Sequence, residues 1–250
     1  MKRHFYSDSI AAFSASSNDT ILGILSSNNE FNLEQTQRDA WQHQIVFLKK
    51  ILSSFDGSIF FEYSIPRMGK RIDVLLIIHN VIFILEFKVG DKTFLQSAVD
   101  QVMDYALDLK NFHETSHIHL IAPILIATNA DSEIFAVNTT PQNDNILFPI
   151  KTNEKDIIDV INAVLQFADG AIIDAEHWMG GRYSPTPTII EAAMSLYNEH
   201  SVAELTKSEA ENLSETSNYI LDLIEDSKIK NNKAICFVTG VPGAGKTLVG

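Results

Sequence analysis

The stretch RIDVLLIIHNVIFILEFK, residues 71 to 88, contains two strongly apolar runs on either side of the dipeptide His79-Asn80. Apolar runs that flank a two-residue turn predict a β-hairpin, and asparagine tolerates the positive φ that such turns use. Residues then pair outward from the turn, and this register places Asp73 opposite Glu86. The stretch therefore predicts two carboxylates side by side on adjacent strands.

Two carboxylates in this position have Cβ atoms about 5 Å apart, and like charges so placed destabilise a sheet. A divalent cation between Asp73 and Glu86 would offset this repulsion, and Mg²⁺ is typically held by one or two carboxylates. Lys88 emerges on the same face as Glu86, where it would position a water or neutralise a phosphate. The alternative is an exposed strand end at which Arg71 and Lys88 form surface ion pairs with the two acids.

The pattern on both sides of the hairpin predicts an α/β core with a mixed sheet. Apolar residues recur at helical spacing before and after it, and the other apolar runs have strand length. The order helix, three strands, helix, strand suggests this fold class. The predicted elements are a helix over Gln35–Phe55, strands over Ile59–Ile65, Arg71–Ile78 and Val81–Val89, a helix over Leu95–Leu109, and a strand over Ile118–Thr128 with an irregular point at Pro123.

Composition along the rest of the chain suggests the domain boundaries. Residues 1–34 are rich in Ser and Asn and predict an irregular arm with at most one short helix. The core domain then covers 35–179, with a polar segment at Asn138–Asn145 and a helix near Glu154–Phe167. Gly and Pro in residues 180–187 indicate a linker. Residues 188–250 form a further part, which begins with helices over about 188–200 and 209–228.

The segment from Gly240 to Thr247 reads GVPGAGKT and follows a strand-like run at Ala234–Thr239. It matches the phosphate-binding loop G-x-x-x-x-G-K-[ST], in which glycines let the backbone approach the phosphates. Lysine then reaches the β- and γ-phosphates of ATP, and threonine binds Mg²⁺. The expected nucleotide-binding residues are Gly240, Gly243, Ala244, Gly245, Lys246 and Thr247. Three residues follow the motif, so we expect the remainder of this ATPase domain, and ATP hydrolysis, only in a longer protein.

The net charge of −13 argues at first against a nucleic-acid partner. Nine acidic residues and one lysine fall between Glu191 and Ser227, whereas Glu62–Lys92 carries five basic and four acidic residues. A locally basic surface around Arg67, Lys70 and Arg71 is therefore compatible with nucleic acid. The single cysteine, Cys236, lies in an apolar run, where packing is the ordinary explanation. We expect a cytoplasmic protein, without signal peptide or membrane span.

Asp73 followed by Glu86-Phe87-Lys88 after a short hairpin resembles the PD-(D/E)XK nuclease signature, although Arg71-Ile72 replaces the proline. Gln101 and Tyr105 on the next helix resemble the Q-x-x-x-Y motif of nucleases fused to helicases. The resemblance covers residues 35 to 130. It implies that Asp73, Glu86 and the Phe87 carbonyl bind Mg²⁺ or Mn²⁺, that Lys88 is catalytic, and that Gln101 and Tyr105 line the site.

The stretch from Tyr183 through the phosphate-binding loop resembles the entry to a Schlafen-group-3-like DNA/RNA helicase domain, a P-loop ATPase of superfamily 1 type. The two resemblances together imply a metal-dependent nuclease acting on DNA, with RNA left open, joined to an ATP-driven helicase in the full-length protein. The alternative is a nuclease-like domain that guides a helicase by binding nucleic acid without cutting it.

Other polar residues are weaker candidates. His113, His117 and His119 lie close together, but no Cys or acidic residue completes a known zinc-ligand pattern. Glu34 and Glu62 are two further carboxylates near the predicted site, and we expect both of them in solvated positions.

Overall fold

The computed structural model describes residues 3–29, 35–65, 70–142, 144–183, 211–230, 232–233 and 235–237. These residues form an α/β fold with a six-stranded mixed sheet and seven α-helices. In chain order the elements are β1 (Tyr6–Ser9), α1 (Ile10–Ala15), α2 (Asn18–Asn28), α3 (Gln35–Leu52), β2 (Gly57–Ile65), β3 (Lys70–Ile78), β4 (Val81–Lys88), α4 (Gln96–Phe112), a 3₁₀ turn (Glu114–Ser116), β5 (Leu120–Ala127), β6 (Ile150–Thr152), α5 (Ile157–Phe167), α6 (Ala175–Met179) and α7 (Glu211–Ile229).

The six strands lie in the sheet in the same order as in the sequence. β1, β2, β3 and β4 pair antiparallel with one another, whereas β5 is parallel to β4 and β6 is parallel to β5. The change to parallel pairing follows α4, since a parallel neighbour needs a crossover connection. The predicted mixed sheet and the order helix, three strands, helix, strand are both confirmed from α3 to β5.

The hairpin register is confirmed along its apolar part. Pairing between β3 and β4 runs from Ile78 opposite Val81 to Val74 opposite Leu85, as the two-residue turn predicts. The residue in the left-handed conformation is His79, with φ of 53°, rather than its asparagine neighbour. The turn position was therefore right, but the prediction assigned the positive φ to the wrong residue.

Several boundaries differ from the prediction. The first core helix ends at Leu52, three residues before Phe55, which lies half-buried beyond it. β5 runs without a break through Pro123, where the sequence predicted an irregular point. The short strand β6 was not predicted, because three residues are too few to show a periodic pattern.

The N-terminal segment is not the irregular arm that its composition predicted. β1 pairs with β2, and α1 and α2 bury apolar side chains in the main core. Ser9 and Ser17, which looked like loop residues, are N-caps whose hydroxyls accept backbone N–H groups of α1 and α2. Serine is favoured both in loops and at helix N-caps, so composition alone did not distinguish them.

Alternate residues of the hairpin face opposite sides of the sheet. Val74, Leu76 and Phe83 belong to the large apolar core that also contains residues of α1, α2, α3 and α5. Glu86 lies on the opposite face of the sheet, where it accepts a hydrogen bond from Gln101 of α4. The open end of the hairpin thus carries polar side chains toward α4.

The described residues fall into two compact units, one drawn from Met1–Ala106 and Ile118–Gly180, the other from Leu107–His117 and Gly181–Gly250. In the second unit the predicted C-terminal helix is confirmed as α7. The predicted strand before the phosphate loop is not formed at Ile235–Phe237, and Cys236 is exposed rather than packed. These three residues pair with no described strand, so no neighbouring strand covers their side chains.

Other predictions lie outside the described residues. They concern the helix at about 188–200, the second half of the linker (184–187), Glu34, Arg67, and the loop residues Gly240, Gly243, Ala244, Gly245, Lys246 and Thr247. Within the part of the chain that is described, no helix has the length and apolar character required to cross a membrane.

Candidate functional site

Glu86, near the end of β4, is a buried carboxylate with only one of its oxygens bonded. Its side chain is 3% exposed, and its Oε1 accepts hydrogen bonds from Lys88 Nζ at 2.7 Å and Gln101 Nε2 at 3.0 Å. Its Oε2 is buried and has no partner among the described residues. A buried carboxylate oxygen without a donor is costly, so this atom is ready to bind a cation or a proton.

Asp73, on β3, is half-buried and lies where regular sheet pairing is interrupted. Its neighbours Ile72 and Val74 both pair with β2, but Asp73 has no paired residue there, and the pairing of β3 with β4 ends at Val74. Instead, its Oδ2 accepts the backbone N–H of Phe87 at 2.8 Å. It forms no ion pair within the described part of the chain. One oxygen of Asp73 is therefore fixed beside β4, although no cationic side chain forms an ion pair with it there.

Burial raises the pKa values of both carboxyl groups. The pKa of Asp73 lies well above its ordinary value, first because of desolvation and then because of repulsion from Glu86. Desolvation also raises the pKa of Glu86, although the Lys88 ammonium opposes this effect. The two acids therefore disfavour each other's charge, which is the electrostatic condition that a bound cation relieves.

Gln101 and Tyr105 lie one turn apart on α4 and reach the site together. Gln101 Nε2 donates to Glu86 Oε1 and is also 2.7 Å from the Tyr105 hydroxyl oxygen. Tyr105 is buried, and desolvation raises its pKa, so the phenol stays protonated at neutral pH. The Q-x-x-x-Y spacing thus places an amide and a phenol next to the Glu86 carboxylate.

Glu62 on β2 is buried, whereas the sequence predicted a solvated position. It accepts the indole N–H of Trp41 at 2.8 Å and the Nε–H of Arg71 at 2.7 Å. Its φ of 51° is left-handed, a conformation that costs a non-glycine residue on the order of 1–3 kcal/mol. Glu62 lies opposite Asp73 in the interrupted part of the β2–β3 pairing. The signal was present in the sequence, since Glu62 is a lone charge among apolar residues.

A cavity of about 470 Å³ opens beside these residues. Its lining includes Asp73, Gln101 and Tyr105, together with side chains of α3 and β2. Gln44 of α3 also lines it, and its Oε1 is a second buried acceptor without a partner in the described structure. The cavity therefore holds one acceptor, Gln44 Oε1, to which no described group donates a hydrogen bond.

The structure brings together all five residues of the predicted catalytic set, Asp73, Glu86, Lys88, Gln101 and Tyr105. The surface ion-pair alternative is wrong in two respects. Glu86 is buried, and Arg71 pairs with Glu62 rather than with Asp73. Lys88 does form an ion pair with one of the two acids, Glu86.

The three candidate histidines, His113, His117 and His119, are not arranged as a metal site. His113 is buried, and its Nδ1 lies 2.8 Å from the Ser116 hydroxyl in the same turn. Across the described residues, no three His, Cys, Asp or Glu side chains are arranged to hold a metal ion. A cation at Asp73 and Glu86 would therefore have two carboxylate ligands and would need water or substrate oxygens as well, which is the usual arrangement for Mg²⁺.

No protein-family model, curated protein or solved structure matches this chain.

Proposed function

We propose that Asp73 and Glu86 form the metal site of a nuclease, an enzyme that hydrolyses phosphodiester bonds in DNA, with RNA as a further substrate class. The observation that carries the proposal is the unpartnered Oε2 of Glu86 next to the Asp73 carboxyl group, which forms no ion pair within the described part of the chain. Two adjacent acids with raised pKa values, one of which lines a cavity, are typical of functional sites. Mg²⁺ or Mn²⁺ suits them because both ions favour oxygen ligands.

The order of elements from α3 to β5 supports a PD-(D/E)XK type of core for this domain. In that arrangement, Asp73 lies on the middle strand of three, and Glu86 and Lys88 lie on the next strand. The resemblance adds the backbone carbonyl of Phe87 as a further cation ligand. Its N–H is already bonded to Asp73, which fixes this part of β4 beside the site.

Each remaining residue has a role that its contacts support. Lys88 holds its ammonium 2.7 Å from Glu86 Oε1, from which it would position the attacking water or neutralise phosphate charge. Gln101 bonds the same oxygen and leaves Oε2 of Glu86 for the cation. Tyr105 restrains Gln101 through its hydroxyl. The cation, when bound, would supply Lewis-acid activation of water and of the phosphate.

The phosphate-binding loop at Gly240–Thr247 supports a second part of the proposal. Joined to the remainder of a P-loop ATPase domain, these residues would bind ATP and drive a helicase that acts with the nuclease. This part rests on the sequence motif alone, and the cleavage proposal does not depend on it.

Cleavage is tested with plasmid DNA and linear single-stranded DNA, incubated with Mn²⁺ or with EDTA. We expect cleavage by the wild type with Mn²⁺ and none with EDTA. Asp73→Asn keeps an acceptor for the Phe87 N–H but loses the charge, and we expect it to cleave at least about 100-fold more slowly. Asp56→Asn removes another carboxylate, an exposed one, and serves as the matched control.

Equal cleavage by the wild type and Asp73→Asn would show a contaminating nuclease and would remove the support for an enzyme. If the wild type binds DNA but does not cleave it with either Mg²⁺ or Mn²⁺, the domain is a nucleic-acid-binding module, which is the alternative function.

A further inference from the structure

Arg71 lies on β3, two residues before Asp73, and lines the same cavity. Its Nε–H donates to Glu62 Oε2 at 2.7 Å, and its guanidinium lies over the Phe5 ring with 4.8 Å to the ring centroid. A carboxylate and an aromatic ring thus hold one side chain from two elements, β2 and the N-terminal segment. The guanidinium is fixed in orientation before any ligand binds.

Glu62 is itself held in place by more than its contact with Arg71. The Trp41 indole N–H donates to its Oε1, while its Oε2 accepts from Arg71, so both carboxylate oxygens are used. Its left-handed backbone interrupts the β2–β3 pairing opposite Asp73. Strained residues of this kind persist where surrounding contacts determine them, and they are frequent at ligand sites. The chain of contacts from Trp41 to Glu62 fixes the position of Arg71.

A guanidinium has five N–H donors, and the Glu62 contact uses only the one on Nε. Its two terminal nitrogens have no hydrogen-bond partner among the described residues. A planar fork of free N–H groups fits a phosphate with two parallel bonds. Lys70, an exposed cation, lines the same cavity and adds positive charge beside the fork.

We propose that Arg71 is a phosphate-binding residue that Trp41, Glu62 and Phe5 hold in position, and that it binds a backbone phosphate of a nucleic-acid strand next to Asp73. Residues i and i+2 of a strand share a face and lie about 6.6 Å apart. The phosphate at Arg71 is therefore a neighbour of the one at the carboxylates. The identity of the ligand as nucleic acid rests on the proposed function, but the binding step requires no cleavage.

The test measures binding of a fluorescein-labelled single-stranded DNA oligonucleotide by the full chain, with Ca²⁺ in place of Mg²⁺, at several salt concentrations. Ca²⁺ also takes carboxylate ligands, with looser geometry than Mg²⁺. For Arg71→Met we expect about tenfold weaker binding, because a charge-assisted bidentate contact is lost. The slope of log K against log salt should also fall by about 0.7, the value for one phosphate contact on a single strand.

Three further variants separate the effect of this contact from the effects of general charge and of folding. Lys50→Met removes an exposed cation of α3 and should leave both the affinity and the salt slope near those of the wild type. Glu62→Gln/Arg71→Met removes the ion pair together, so that no buried charge is left alone, and should lose as much affinity as Arg71→Met. Arg71→Lys keeps the charge but not the fork, and should recover only part of the affinity.

Wild-type affinity and salt slope in a folded Glu62→Gln/Arg71→Met variant would overturn the proposal, as would wild-type binding by Arg71→Lys or an absence of salt-dependent binding by the wild type. The outcome is separate from that of the cleavage assay. Weaker binding by Arg71→Met in a chain that never cleaves supports this site and contradicts the nuclease, whereas unchanged binding with Asp73-dependent cleavage does the reverse.

Discussion

The two ends of the β3–β4 hairpin are built from the same two strands but differ in what they contribute. At the turn end, paired residues such as Ile77 and Ile82 are apolar and buried. At the open end, Asp73 and Glu86 are carboxylates with raised pKa values, and regular pairing stops. The turn end stabilises the fold, whereas the open end carries groups that oppose one another until a ligand binds.

This contrast also explains the neighbouring strand. β2 has regular pairing beside the turn end and a left-handed residue, Glu62, beside the open end. The strained backbone and the repelling carboxylates thus lie at the same end of the sheet. Such a combination is typical of a functional site on a stable scaffold.

The largest effect is expected at the turn end. Phe83 is fully buried in the apolar core, so Phe83→Ala should lower the free energy of unfolding by about 3–5 kcal/mol. Urea denaturation followed by circular dichroism measures this value. Leu95→Ala, at a side chain that is 59% exposed, should change it by at most about 0.5 kcal/mol. A loss below about 1 kcal/mol for Phe83→Ala would mean that the turn end is not the stabilising half.

A smaller effect of opposite sign is expected at the open end. In EDTA near neutral pH, Asp73→Asn should raise the free energy of unfolding by about 0.5–1 kcal/mol, because it removes a like-charge pair on adjacent strands. Thermal denaturation would show a melting temperature higher by about 1–4 °C. Saturating Mn²⁺ should reverse the order, because only the wild type gains the free energy of binding the ion.

The gain from Asp73→Asn should depend on pH with a definite sign. The raised pKa values of Asp73 and Glu86 mean that the folded protein holds their protons more tightly than the unfolded chain does. Their contribution to stability is therefore complete below the ordinary carboxyl pKa of about 4 and is lost as the pH rises through the raised values. The advantage of the variant should shrink on acidification, and an advantage that grows instead would contradict the raised pKa values.

The hairpin and its site residues were predictable because their signals are local. Apolar runs predict the strands, and the turn dipeptide predicts their register. Helical spacing predicts that Gln101 and Tyr105 lie one turn apart on the same face of α4. The predicted pairing of Asp73 with Glu86 is not formed, because the pairing between β3 and β4 stops one residue earlier, at Val74 and Leu85.

What the sequence did not predict depends on contacts between distant segments. Glu62 is buried with hydrogen bonds from Trp41 of α3 and Arg71 of β3. The local sequence pattern of β2 predicts neither of these partners. The N-terminal segment looked irregular because serine, the residue at positions 9 and 17, is common in loops as well as at helix N-caps. Phe5, which lies under Arg71, was hidden in that segment.

Mn²⁺ binding, measured by isothermal titration calorimetry near neutral pH without nucleotide, tests whether the open end of the hairpin holds a divalent cation. We expect the wild type and the control Asp56→Asn to bind Mn²⁺ with the same affinity. Asp73→Asn and Glu86→Gln should each bind at least tenfold more weakly, a loss of about 1.4 kcal/mol or more. Equal affinity in all four proteins, or no binding by a folded wild type, would contradict the account.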